Sequence, residues 1–168
     1  AKGFADLVAC GLISRAPRLI AAQPEGSSVI ARALADPDRG LAPMPGATSV
    51  ADSLTVEMPR NARLCVARVE ESGGAGIIVS DEHIIAAISR LARATGVFAE
   101  PAAACALAGL ETAAERGLVA SDETIVLLVT GTGLKDIEAA SRSVSTPAAI
   151  DASLAAVEAA LAFRAALF

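Results

Sequence analysis

Residues 124–136 constrain the fold of this chain more than any other stretch, because an unbroken apolar run ends there in a polar corner. Residues 125–129 are five consecutive aliphatic residues without alternation. This predicts a strand that is buried on both faces, as in the parallel sheets of α/β proteins. The sequence Thr130-Gly-Thr-Gly133 follows directly. Ligands of such sheets bind at the carboxyl ends of strands, where glycine leaves backbone N–H groups open to approach. The stretch therefore predicts a ligand-binding corner.

Two strand–helix units precede this corner in the sequence. Residues 18–22 read as a short strand that is followed by a helix over residues 29–34. Residues 75–79 read as a second strand, and Ser80 can cap the helix that follows it. Together with the strand at 125–129, these units predict an α/β fold, a three-layer sandwich with a mostly parallel sheet.

The composition favours one domain with a small-molecule partner. The chain has 168 residues, of which 54% are hydrophobic, and this suffices for a single α/β domain over residues 1–168. Its net charge of −5 and its scattered Lys and Arg residues argue against nucleic acid as a partner. Alanine supplies much of the mean hydropathy of +0.54, and no apolar run approaches the ~20 residues of a membrane-spanning helix. We therefore expect neither nucleic acid nor membrane as a partner.

The cysteines and the single histidine do not form a metal site in the sequence. Cys10, Cys65 and Cys105 are widely spaced among apolar residues, which predicts buried thiols in a reducing compartment and hence a cytoplasmic protein. His83 lies in the first turn of a predicted helix without a neighbouring ligand pattern, so we expect it to be solvated. No metal ligand is predicted.

A long connection separates the two strand–helix units. Residues 36–58 are rich in proline and glycine and form a loop longer than compact domains use without a functional or mobile role. Pro59 then begins a helix with one apolar face that runs to about Ser72. Glu71, in its last turn, is explained either by an ion pair with Arg68 or by a role at a site.

Glu100 is the carboxylate that local structure places most clearly. Pro101 fits the first position of a helix over residues 102–115, which puts Glu100 at the N-cap, and Gly117 closes the helix. The carboxylate either caps the helix or faces a ligand at the positive end of the helix dipole.

The two ends of the chain are predicted to be amphipathic helices. The chain begins directly inside one, with Phe4, Leu7, Val8 and Leu12 on one face. This start suggests that an upstream segment has been removed or is supplied by another chain. Residues 147–168 form the last predicted helix, which we expect to pack as a cover over the domain. Its apolar residues are Ile150, Leu154, Val157 and Leu161.

The ordered motifs of the chain closely resemble the threonine synthases of the fold-type-II pyridoxal-phosphate enzymes. The resemblance covers about residues 1–140. It rests on Glu70-Glu-Ser-Gly-Gly74, Gly96-Val-Phe-Ala-Glu-Pro101, and Thr130-Gly-Thr-Gly-Leu-Lys-Asp136, with support from Lys2-Gly-Phe, residues 19–26 and Ser49-Val-Ala-Asp-Ser53.

The resemblance implies a cofactor-binding role for four residues. Thr130 would hydrogen-bond the pyridine nitrogen of pyridoxal 5'-phosphate. Gly131 and Gly133 would keep the corner close to the ring, and Glu100 would lie near the cofactor at its helix end. A neutral hydroxyl at the nitrogen would leave the ring less fully protonated than a carboxylate would.

Weaker substrate roles are implied for Thr132, Lys135, Glu71 and Ser72. Lys135 matches the lysine of the family's Gly-Leu-Lys-Asp motif, which does not carry the cofactor, and a solvated loop charge explains it equally well. Many family members have histidine where this chain has Thr132.

The chain lacks the residues that carry the family's chemistry. The Schiff-base lysine of the family lies in an upstream Ser-Phe-Lys-Asp type of motif, and the asparagine and glycine loop that hold the ring and the phosphate are also upstream. Lys2 and Lys135 are the only lysines here, and neither lies in that motif. We therefore assign no catalytic residue to this chain.

The resemblance implies that the chain is the C-terminal part of an enzyme. With pyridoxal phosphate, that enzyme would convert O-phospho-L-homoserine and water to L-threonine and phosphate. The chain would be inactive until the N-terminal part joins it, and the complete enzyme is expected to be a homodimer. A chain of this kind should expose an apolar patch or associate with itself.

Two alternatives remain open. A threonine or serine dehydratase shares the Ser-Val-Ala-Asp and Glu-Ser-Gly-Gly types of segment, although Gly-Leu-Lys-Asp favours threonine synthase. The missing lysine equally suits a non-catalytic α/β module that binds a partner chain or an effector.

Overall fold

The structure is a computed structural model that describes residues 1–36, 38, 40–146 and 148–165, with backbone only for 163–165. Pro147 and residues 166–168, which belong to the last predicted helix, lie outside the described residues, as do two positions of the 36–58 loop. No helix among the described residues is long and apolar enough to cross a membrane. The strands and helices are β1 (Ile20–Pro24), β2 (Ala75–Val79), α1 (Lys2–Ala9), α2 (Val29–Ala35), α3 (Ala62–Glu71), α4 (Asp81–Thr95), α5 (Pro101–Glu115), α6 (Ile137–Arg142) and α7 (Leu154–Ala165).

Two parallel strands form the sheet, and helices cover both of its faces. β1 pairs with β2 in a register that runs from Ile20 opposite Ala75 to Pro24 opposite Val79. The position of a side chain at Gly76 is filled by Ala31 of α2, whereas the Ala22 side chain lies against Gly109 of α5. Because successive side chains of a strand point to opposite faces, α2 and α5 lie on opposite sides of the sheet. The predicted α/β fold and its first two strand–helix units are confirmed.

The main core lies between β2, α4 and α5. Ile77 of β2 and Ile84 and Ile88 of α4 are fully buried, and alanines of α5 pack against them. The predicted start of α4 is confirmed, because the Ser80 hydroxyl accepts a hydrogen bond from the His83 backbone N–H. These contacts join α4 to α5 as a platform, and α5 packs it on one face of the sheet.

The His83 prediction is wrong, because the side chain is partly buried and has a partner. His83 Nε2 lies 2.7 Å from Glu111 Oε2, and Glu111 also accepts hydrogen bonds from Arg90 Nε at 2.9 Å and from Nη2 at 2.6 Å. A carboxylate 28 residues away on α5 was not visible in the local sequence pattern. The cluster links α4 to α5.

The prediction of a buried strand at residues 125–129 is wrong for this structure. Residues 124–130 have no strand assignment, and Val126 and Leu128 are 78% and 75% exposed. A strand with apolar side chains on both faces needs a hydrogen-bonded neighbour and a cover on each side. Within the described part of the chain, the sheet consists of β1 and β2 alone.

The two terminal helices are also uncovered. All residues of α1 are exposed, including the predicted apolar face. α7 does not act as a cover, since Leu154 is 74% and Leu161 is 62% exposed. An amphipathic helix needs an apolar surface to pack on. These helices and residues 124–130 leave several large apolar side chains exposed.

The cysteines differ from the prediction that all three are buried. Cys10 is exposed at the end of α1, Cys65 is partly buried and Cys105 is buried in α5. Burial raises the pKa of Cys65. Burial, followed by the negative charge of Asp81, raises the pKa of Cys105 to about 12. The Cys10 prediction failed because its apolar neighbours belong to the uncovered helix α1.

Gly76→Ala should destabilise the contact between the sheet and α2. A Cβ at this position would lie 2.6 Å from Ala31 Cα, so the backbone of α2 must shift. We expect a loss of about 1–3 kcal/mol in the free energy of unfolding, measured by urea denaturation. Gly3→Ala is the matched control, since nothing lies within 4 Å of its Cβ. Equal effects of both substitutions would contradict this packing.

The stability of the chain should fall at alkaline pH because of Cys105. Its folded-state pKa of about 12 lies above the ordinary thiol value of about 8.5. The buried neutral thiol therefore contributes its full share to the free energy of unfolding below about pH 8.5. This share is lost as the pH rises towards 12, by at most about 1.4 kcal/mol per pH unit. Urea denaturation at several pH values above 8 measures this slope. Cys105→Ala should remove this part of it, and an unchanged slope would refute the assignment.

Candidate active site

The glycine corner is fixed to the segment that precedes α5. Ala99 and Thr132 form an antiparallel bridge, in which the Glu100 backbone N–H donates to Gly131 O at 3.1 Å. The Gly133 N–H donates to Phe98 O at 3.0 Å. The corner is therefore held by backbone hydrogen bonds even though the run before it is unpaired.

The packing of the corner requires both of its glycines. A Cβ on Gly131 would lie 1.9 Å from Glu100 Oε1, and a Cβ on Gly133 would lie 2.4 Å from the Phe98 ring. Side chains from the 98–100 segment thus occupy the space that any other residue would need. The sequence predicted glycines for a close approach, and Glu100 and Phe98 are the groups that approach them within this chain.

Glu100 is buried and forms an ion pair with Lys135. The residue is 6% exposed, and its carboxylate oxygens lie 2.9 and 3.1 Å from Lys135 Nζ. Glu100 occupies the N-cap of α5 as predicted, but its side chain makes no capping hydrogen bond. The carboxylate instead turns away from the helix end and faces the turn Gly133–Lys135.

A polar cleft of about 150 Å³ opens beside this ion pair. The end of the 36–58 loop forms one wall, and the starts of α5 and α6 form the other. Ser49 Oγ and the Val50 N–H anchor the loop by donating to the Asp81 carboxylate at 2.6 and 3.0 Å. The cleft is lined by Val50, Asp52, Ser53, Glu100, Pro101, Ala102, Lys135 and Asp136.

Residue-by-residue prediction missed Asp52, Ser53, Asp81 and Phe98. Each lies in or next to a segment that the sequence singled out for another reason, such as Ser49-Val-Ala-Asp-Ser53. The signal that could have found the two loop residues is the unusual length of the 36–58 loop, which the structure brings back to the start of α4. No local pattern pointed to Phe98.

Thr130 presents its hydroxyl to solvent at the corner. The residue is exposed, and no described residue hydrogen-bonds the hydroxyl. Thr132 differs, because its Oγ1 accepts a hydrogen bond from the Leu134 N–H at 3.4 Å and caps the following turn. Thr130 is thus the hydroxyl of the corner that remains available to an external group.

Glu71 and Ser72 lie apart from the corner. Ser72 Oγ accepts a hydrogen bond from the Leu19 N–H at 3.0 Å and donates to Val69 O at 2.7 Å, which ties α3 to the start of β1. Glu71 pairs with Arg68 on an exposed face. Both residues are at the amino end of the sheet, whereas the cleft contacts the loop anchored beyond the carboxyl end of β2. The structure therefore brings together Glu100, Thr130, Thr132 and Lys135 but not these two.

The comparison with protein families identifies the family of this chain. Residues 1–131 match the family described as pyridoxal-phosphate dependent enzyme. The chain belongs to this family. The match covers β1, β2 and α1–α5 and ends within the corner, at Gly131, so the whole platform that carries Glu100 is part of the family fold.

The relatives are threonine synthases. That of Methanocaldococcus jannaschii is 35% identical over 150 residues, which are 89% of this chain and 37% of that protein. That of Methanosarcina acetivorans is 33% identical over 160 residues, 95% of this chain and 40% of that protein. The crystal structure of threonine synthase from Escherichia coli has the same fold, with a TM-score of 0.61, 22% identity, and coverage of 92% of this chain and 35% of that chain. The chain spans about two fifths of the length of these curated relatives.

The residues of the corner fit one side of a pyridoxal-phosphate site. The free Thr130 hydroxyl can donate to or accept from a ring nitrogen. Lys135 forms an ion pair with Glu100, and Lys2 lies on the exposed helix α1, where it pairs with Asp6. Pyridoxal phosphate is the cofactor of the family and supplies an electron sink for carbanions.

Gly131→Ala should displace the Glu100 carboxylate. Because the clashing atom is the flexible end of a side chain, we expect Glu100 to swing away from Lys135, at a cost of about 1–3 kcal/mol in the free energy of unfolding. In a Glu100→Ala background the same substitution should cost much less, because the clashing oxygen is gone. Urea denaturation of the four variants of this cycle measures the difference, and strict additivity would refute the contact.

Proposed function

We propose that this chain forms one wall of the active site of a threonine synthase. The complete enzyme converts O-phospho-L-homoserine and water to L-threonine and phosphate with pyridoxal phosphate. The curated relatives that carry this name support the reaction. The observation that carries the proposal is the unpartnered Thr130 hydroxyl, held at a corner that backbone hydrogen bonds fix to the start of α5.

Thr130 is the residue that orients the cofactor ring. Its hydroxyl hydrogen-bonds the pyridine nitrogen, and because a hydroxyl is neutral, the nitrogen gains less proton affinity than a carboxylate would give it. Gly131 and Gly133 let the corner pack tightly on Glu100 and Phe98, which fixes the backbone next to Thr130. Glu100 stabilises the corner, since its carboxylate packs on Gly131 and its backbone N–H donates to Gly131 O.

Thr132 is the proposed substrate contact of this chain, because it is exposed at the corner. The resemblance also implies a substrate role for Lys135, whose ammonium already lies on the Glu100 carboxylate. The substrate roles that the resemblance implies for Glu71 and Ser72 have no support in this geometry, because both lie at the amino end of the sheet.

This chain requires a second segment for activity. The amine that would bind the cofactor is assigned to another segment, because neither Lys2 nor Lys135 lies in the family's Schiff-base motif. The exposed run at 124–130 also needs a neighbouring strand and a cover on both faces. We infer that the segment with the lysine supplies both and that residues 1–168 form a single α/β domain, with the 36–58 loop and the C-terminal helix as additions.

The cellular setting follows from the same features. The three cysteines are free, as suits a reducing compartment, and we place the reaction in the cytoplasm. The complete enzyme is proposed to be a homodimer that acts on a small molecule.

Assaying the complete protein, with this chain joined to the segment that carries the lysine, tests the proposal. We expect phosphate release from O-phospho-L-homoserine and no 2-oxo acid from threonine. Release of 2-oxo acid alone would favour a dehydratase. Neither product, together with no binding of pyridoxal phosphate, would favour a non-catalytic module and refute the proposal.

Thr130→Val should lower kcat/KM of the complete enzyme by about 10- to 100-fold, because it removes one hydrogen bond to the ring while keeping the side-chain shape. Thr130→Ser is the matched control and should keep most of the activity, since it retains the hydroxyl. Equal losses in both variants would show that the hydroxyl is not the group that matters.

A further inference from the structure

The ion pair between Glu100 and Lys135 has an unusual asymmetry. Glu100 is almost completely buried, with 8% of its side chain exposed, whereas the Lys135 side chain is 58% exposed. Lys135 directs its ammonium inward to both carboxylate oxygens, although solvent is accessible to the rest of the side chain. Burying a carboxylate costs free energy unless a cation or hydrogen bonds compensate its charge. The Lys135 ammonium provides this compensation for Glu100.

Lys135 is the positive group in otherwise negative surroundings. Besides the pair of Glu100 and Lys135, the charged residues among the described lining of the cleft are Asp52 and Asp136. Asp136 Oδ1 accepts the Ala139 N–H at 2.9 Å and caps α6, so it is held in place. Without Lys135, three carboxylates would share a cleft of about 150 Å³ with no cation.

Glu100 is also close enough to the corner to change its electrostatics. Its Oε1 occupies the space next to Gly131, the residue that follows Thr130. A buried charge acts over several ångströms because the protein interior screens it weakly. An uncompensated carboxylate at this point would favour the protonated form of a base bound at Thr130, whereas a neutral ion pair would not.

We propose that Lys135 is a positioning residue, which holds the Glu100 carboxylate against Gly131 and neutralises it, rather than a substrate-binding lysine. With pyridoxal phosphate bound, the Thr130 hydroxyl would face the ring nitrogen, and the ion pair next to Gly131 would add no net charge to its surroundings. The inference rests on the proposed binding of pyridoxal phosphate at Thr130, but it does not depend on which substrate the enzyme uses.

The first test is the pH dependence of the absorbance of bound pyridoxal phosphate in the complete enzyme without substrate. Lys135→Met should move the midpoint upwards by about one pH unit, because it leaves a buried carboxylate beside the corner. Lys135→Arg should restore the midpoint, and so should the double variant Glu100→Gln, Lys135→Met, since each makes the pair neutral again. Lys2→Met, which removes the only other lysine at the exposed pair with Asp6, is the control and should leave the midpoint unchanged.

Steady-state kinetics separate positioning from substrate binding. If Lys135 acts through Glu100, Lys135→Met changes kcat and its pH profile while KM stays within about twofold. A tenfold rise in KM with an unshifted absorbance midpoint would assign Lys135 to the substrate and overturn the proposal. An unshifted midpoint with normal kinetics would also overturn it.

A measurement without cofactor distinguishes this inference from the proposed function. Urea denaturation of Glu100→Gln, Lys135→Met and the double variant forms a double-mutant cycle in the chain itself. We expect the double variant to be more stable than the sum of the single losses predicts. Coupling in this cycle without binding of pyridoxal phosphate would refute the proposed function and the electrostatic role, but leave the positioning of Glu100 intact. Additivity would refute the positioning itself.

Discussion

The buried carboxylate of Glu100 is the point at which the candidate site is joined to the core. Its backbone forms the N-cap of α5 and donates a hydrogen bond to Gly131 O in the glycine corner. Its side chain packs on Gly131 and forms an ion pair with Lys135. α5 in turn packs on α4 and on the sheet, where Gly109 meets Ala22. The position of the corner therefore depends on the same helix that fills the core.

The core behind the candidate site is well covered, whereas the segment that leads into the glycine corner is exposed. The sheet of β1 and β2 is covered on both faces, and its core is closed around β2, α4 and α5. The run that leads into the corner is exposed instead, as are α1 and α7. A family member that spans about two fifths of its relatives' length can thus form a closed core.

Local sequence patterns predicted the elements that local interactions determine. β1, β2 and α3–α5 follow from strand composition, helical periodicity, the N-cap Ser80 and the helix-starting Pro101. The run at 125–129 could not be judged in the same way, because its sequence encodes a preference for pairing but not whether a partner strand is present. The same limit explains the failure at Cys10.

Contacts between distant residues were beyond any local pattern. The pair of Glu100 and Lys135 spans 35 residues, and that of His83 and Glu111 spans 28. Family resemblance named Glu100 and Lys135 as site residues but did not show that they touch.

A crystal structure of the complete protein with pyridoxal phosphate bound tests the role of Thr130 most directly. We expect Thr130 Oγ1 to lie within about 3.2 Å of the pyridine nitrogen, with Glu100 still paired to Lys135 next to Gly131. A different side chain at the ring nitrogen, with the Thr130 hydroxyl beyond hydrogen-bond distance, would contradict this role.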